Sequence, residues 1–131
     1  MADFDWVRAR AACSLDVLFQ QLRVAADRDV DSMNAVLKAA DRTIVCELAE
    51  VGDRFLVTIS GNAFPMRIAE FARTETSIAV SVEKGKKKFV AVPTLNPDGV
   101  CKLTVNNQEL ELWQVCRMAL EDLFFGPSTH N

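Results

Sequence analysis

Glu109 and Glu111 stand two positions apart in "NNQELEL", so on a strand both carboxylates would lie on one face. With a third acid such a pair could hold a hard divalent cation through oxygen ligands. No DxD or EF-hand spacing accompanies them, and the pattern reads as the polar outer face of a strand. Asp29 falls on an apolar helical stripe. A buried catalytic acid is the sharper reading of it. An acid at the wet edge of the stripe, or a helix that breaks near "DRDVDS", are the plainer ones. "GNAFPM" lacks the second glycine and the Lys-Ser/Thr pair of a phosphate loop.

Cys13, Cys46, Cys101 and Cys116 show no CxxC spacing, and each lies among apolar neighbours. That is the setting of small buried hydrophobes. All four are therefore expected to be reduced, with Cys46 and Cys116 slow to react because apolar packing raises a thiol pKa. The one histidine, His130, is next to the C-terminus. A Ser-His or Cys-His nucleophile needs an imidazole held in place, which a chain end rarely supplies. Zinc sites built from several His and Cys ligands are disfavoured for the same reason. No catalytic residue, metal ligand or cofactor site is expected. An enzyme working through carboxylates alone is the least favoured class.

In "EKGKKKF", Lys84, Lys86, Lys87 and Lys88 crowd one turn of a chain whose formal net charge is −3. Glu109, Glu111, Glu121 and Asp122 follow close behind. Nucleic-acid binding needs a broad basic surface, because each phosphate contact contributes one counterion-release term. It commonly adds exposed aromatics for stacking. The chain has no tyrosine, and Phe89 falls in an alternating strand. The lysines are read as a solvated hairpin tip that also discourages edge-to-edge pairing, and no nucleic-acid partner is expected. Arg8, Arg10, Arg67 and Arg73 could each meet an anion, but spacing singles out none of them.

The elements that must position these residues are legible from periodicity. A lead-in helix over residues 4–12 carries Trp6. Ser14 caps a long helix over about residues 14–38, with Asp16 in its first turn. Its stripe runs through Leu15, Leu18, Phe19, Leu22, Ala25, Ala26, Val30, Met33, Val36 and Leu37. From residue 43 the period becomes two. "TIVCELA", "RFLVTIS", "TSIAVSV", "KFVAV", "VCKLTV" and "QELEL" read as strands. "MRIAEFA", residues 66–72, suits strand or helix and is taken as strand. "NPDG" is a turn, and "NN" suits a type I′ hairpin. A last helix over 112–125 buries Leu112, Val115, Cys116, Ala119, Leu120 and Leu123 and ends at Gly126 and Pro127. Residues 126–131 are expected to be a loose tail.

At 131 residues, half hydrophobic and a quarter charged, the chain suits one α+β domain over residues 1–131. The expected fold is an N-terminal helix, an antiparallel meander of six to seven strands, and a C-terminal helix packed on the sheet. No apolar run approaches the roughly 18 residues of a membrane helix. Acids at Asp3 and Asp5 suit neither a secretory leader nor a transit peptide. The expected location is cytoplasmic, without a membrane partner.

The apolar arc of the last helix is wider than packing on one sheet needs. Trp113, Met118, Phe124 and Phe125 are therefore expected at a contact with a second copy or another protein. The chain reads as a non-enzymatic interaction module that forms a homodimer. The alternative is a binder of a small apolar ligand between curved sheet and helices.

Overall fold

A computed structural model describes residues 3–40, 42–61 and 64–126. Three helices and seven strands follow one another as α1 (Trp6–Ala12), α2 (Leu15–Ala39), β1 (Val45–Val51), β2 (Arg54–Gly61), β3 (Phe64–Arg73), β4 (Ile78–Val82), β5 (Lys87–Leu95), β6 (Cys101–Val105), β7 (Gln108–Leu110) and α3 (Leu112–Phe125). The strands pair antiparallel in the order of the chain, as one seven-stranded sheet. The expected α+β architecture is the observed one, and residues 66–72 lie in strand β3.

Register explains the core. Phe55 faces Phe71, Phe71 faces Val80 and Val80 faces Phe89, so one row of large side chains crosses four strands on one face. Val57, Ala69 and Val82 form the next row. All seven are buried, and the rings of Phe55 and Phe71 stack with centroids 4.5 Å apart. Helices α2 and α3 cover this face. α2 lays Leu18, Leu22, Ala26, Val30, Met33 and Leu37 onto it, and α3 lays Val115, Cys116, Ala119, Leu120 and Leu123. Burying a large aliphatic side chain contributes about 1.5–3 kcal/mol, so each helix is anchored several times over.

Caps fix where the helices begin. The Ser14 hydroxyl accepts from Val17 N at 3.2 Å. Glu111 and Gln114 form a capping box at the start of α3. α2 runs unbroken through Asp29, so the helix break considered there does not occur. Asp29 is half-buried on the flank of α2 that faces α3. Val36, expected on the buried stripe, is exposed instead. Val36 stands at the outer margin where α2 meets α3, on the wall of an open groove and not under the helix.

Edge strand β1 meets an unusual neighbour. Asn34 of α2 donates from Nδ2 to Cys46 O at 2.8 Å and accepts from Cys46 N at 2.9 Å through Oδ1. One side-chain amide thereby satisfies both backbone groups of an edge residue.

One expectation about the cysteines is overturned. Cys13 and Cys101 form a disulfide across 88 residues of sequence, with Cα atoms 5.4 Å apart. Spacing gave no hint because the pair meets only after the meander brings the inner face of β6 beneath the α1–α2 junction. Cys46 and Cys116 are buried free thiols, as expected.

Candidate functional site

The outer seam between α2 and α3 gathers most of the side chains expected at a contact. Trp113 lies in the first turn of α3, and Phe124 is placed three turns later on the same flank. Cys116 and Leu120 between them point into the seam against Met33 of α2. The result is a groove of about 350 Å³ with an apolar floor, walled by Val36, Trp113, Phe124 and Phe125. Trp113 is 60% exposed and Phe125 69% exposed, although both sit on a firmly buried helix. The rings of Phe124 and Phe125 meet edge to face at 6.3 Å. Met118 does not line the groove. It packs partly against the core, and its carbonyl accepts from Lys87 Nζ at 2.8 Å.

Polar groups in the groove are few: Asp29, Ser32, Arg117 and Glu121. Arg117 Nε donates to Glu121 Oε1 at 2.9 Å. Burial pushes the Asp29 carboxyl above its ordinary value, while the Cys116 thiol and Arg28 pull it back. The Cys116 thiol is pushed up to about 12, chiefly by burial and then by the Asp29 charge. A thiol in that state holds its proton at neutral pH and is a poor nucleophile. The catalytic reading of Asp29 needs a reacting partner beside it. Beside it stand the Cys116 thiol and the Arg117–Glu121 pair, with Met33 and Leu120 on the apolar floor.

At the end of the sheet the groove opens into a recess of about 490 Å³ lined by Ile44, Ile59, Leu123 and Phe124, with Arg42 and Arg67 as its charges. Arg67 stands on the inner face of β3. Its Nε donates to Glu83 Oε1 at 2.7 Å, and its Nη atoms donate to Leu123 O and Asp122 O at 3.1 and 2.8 Å. It thus caps the C-terminus of α3, where a cation is favoured by the helix dipole. The hydrogen bond from Arg67 holds the Glu83 carboxyl below its usual range.

The other residues singled out by sequence are scattered. Glu111 is the N-cap of α3, not a strand residue, and pairs with Lys102, while Glu109 accepts from Asn96. The two acids are therefore not the one-faced strand pair that spacing suggested. Each arginine considered for an anion has an internal partner: Arg8 pairs with Asp5, Arg73 with Asp16 and Asp53, and Arg10 donates to Cys13 O. In the lysine turn, Glu83 and Lys84 take positive φ of 53° and 59° along with Gly85. Lys87 leaves the cluster for α3. His130 lies outside the described residues. Sequence named Arg67 only as one of four arginines that could meet an anion, not its role. Its partners come from 16 and about 55 residues away, which no local pattern reports.

Compared with family models, curated proteins and solved structures, the chain matches none.

Proposed function

We propose that this chain is a non-enzymatic protein-interaction module whose docking surface is the outer groove of α2 and α3, and that its first occupant is a second copy of the chain. One observation carries the reading: Trp113 and Phe125 stand exposed beside an apolar groove on a helix that cannot turn to hide them. Tryptophan and phenylalanine are enriched at interface cores. The groove's charges support a self-complementary contact. Arg117 and the acids Asp29 and Glu121 all line the groove, so a two-fold axis can bring charges of both signs from one copy near those of the other.

Sedimentation velocity at micromolar concentration tests it. The expected result is a dimer that the double change Trp113→Ser with Phe125→Ser converts to a monomer of unaltered circular dichroism. A monomeric parent chain overturns the reading.

A second reading has support at the recess beyond the groove, where an apolar lining ends in Arg42 and Arg67. A small apolar ligand with an anionic end would fit that chemistry. Native mass spectrometry of the purified chain, showing an added small-molecule mass, would favour it over the dimer.

No helix among the described residues is long and apolar enough to cross a membrane. Our reading keeps the module cytoplasmic and gives the lysine turn no nucleic-acid role, since Lys87 and Glu83 are engaged within the fold. Disulfides are rare in reducing compartments. In the cytoplasm the Cys13–Cys101 bridge would therefore be an occasional state, not a permanent staple.

A further inference from the structure

We propose that residues 3–13 form a redox-gated strap, held to the β5–β6 hairpin by the Cys13–Cys101 disulfide and released as a mobile arm when a dithiol reductant opens that bond. The inference is independent of the self-association reading.

Helix α1 buries none of its residues. Phe4, Trp6 and Val7 are all largely exposed. At seven residues it is well short of the roughly 12–15 that an isolated helix needs. Its order must therefore come from its ends. The far end is the disulfide at Cys13. At the near end, the ring of Phe4 lies over the bare α-carbon of Gly99, where any side chain would collide with it. Gly99 has a φ of 79° and ends the turn that delivers Cys101 two residues later. Both attachments thus fall on one hairpin, and that turn is itself rigid. The Asn96 side chain accepts from Asp98 N and Val100 N at 3.0 and 2.9 Å. Opening the bridge leaves the Phe4 contact and the buried Cys13 side chain as the restraints on residues 3–13.

Thiol–disulfide exchange accomplishes the release. A thiolate of the reductant attacks the sulfur of Cys101, the less buried of the pair. The Cys13–Cys101 bond breaks, and Cys13 leaves as a thiolate that takes a proton from water. The reductant's second thiol, as its thiolate, then attacks the mixed disulfide and expels Cys101, which is protonated in turn. Two electrons enter the bridge, and the reductant becomes a cyclic disulfide. Cys46 and Cys116 do not compete, because both are buried with thiols pushed up to about 11 and about 12.

Limited trypsin digestion of the full chain, read by mass spectrometry, tests the gate. Arg8 and Arg10 are the cleavage sites within the strap. In the oxidised chain they should be cut slowly. After dithiothreitol, cutting there should rise roughly tenfold or more, because cleavage follows the population of the open form. Cys101→Ser should be fast without reductant and indifferent to it. Phe4→Ser should be intermediate while oxidised, which keeps the test open if the cysteine variant fails to fold. Equal rates in both states, with thiol titration showing the bridge opened, would overturn the gate. So would cleavage spreading at once through α2 on reduction, or four free thiols persisting after mild oxidation.

Discussion

Two tryptophans are almost equally exposed, Trp6 at 63% and Trp113 at 60%, yet they belong to opposite kinds of helix. Trp113 rides on α3, whose other flank sends five residues into the core. Trp6 rides on α1, which sends none. An aromatic ring on an anchored helix is a platform, since its position is paid for by contacts elsewhere. A ring on an unanchored helix goes wherever its tethers allow. Exposure alone does not separate the two. What the opposite flank buries does.

The largest effect expected from disturbing this contrast comes from the tether. Loop-entropy reasoning gives a bridge closing nearly 90 residues about 4.6 kcal/mol, with strain able to lower it. Urea denaturation with and without reductant should show a loss of that order, while circular dichroism in water stays largely native. Next in size, Leu123→Ala on α3 should cost about 3 kcal/mol through the cavity it leaves. Val7→Ala on α1 should stay within about 0.5 kcal/mol. Equal costs at the two sites would erase the distinction between platform and tethered ring.

Arg67→Ala should cost about 1–2 kcal/mol, at the low end for a charged hydrogen-bonding group because Arg67 retains some solvent. It should also alter the acid limb of stability. The Glu83 carboxyl is depressed in the folded chain, so its contribution is present above the ordinary value of 4.5 and is lost as pH falls through the folded value. Arg67→Ala should flatten that loss. Asp29 has the opposite sign: its raised folded value makes its contribution full below 3.8 and lost as pH rises above it. Asp29→Asn should therefore leave neutral-pH stability unchanged or slightly higher. At the alkaline end, Cys46 and Cys116 should withdraw stability between about pH 9 and their folded values of about 11 and about 12. Trp113→Ser, like Val7→Ala, is expected within about 0.5 kcal/mol of the parent while still weakening association.

Elements governed by local pattern were legible in sequence. Ser14 announced the start of α2, and the alternation in "RFLVTIS" announced β2, because capping and pleating act over a few residues. The wide arc on α3 pointed to Trp113 and Phe124, with Phe125 and Met118 beyond it, and the fold leaves Trp113 and Phe125 exposed. Met118 was grouped with them by its place beyond the arc and by the enrichment of methionine at interface cores, and tertiary packing separates it. The Cys13–Cys101 bridge and the three-way grip of Arg67 were not legible. Each depends on residues that the meander brings together from distant parts of the chain. Glu111 was misplaced for a smaller reason: "QELEL" alternates as a strand should, but the capping box with Gln114 ends the strand at Leu110.

The amide of Asn34 imitates a neighbouring strand at Cys46, and that imitation bears on polymerisation. A meander has two open margins, and a strand there can recruit another molecule's strand in a ladder without limit. Asn34 occupies the very groups that such a ladder would use first, at a residue whose side chain is already buried. Replacing it with leucine should keep the helix, since leucine is a good helix former. It would bare one N–H and one C=O on β1. The consequence would appear as concentration-dependent fibre growth after long storage, slow to nucleate and seeded by its own products.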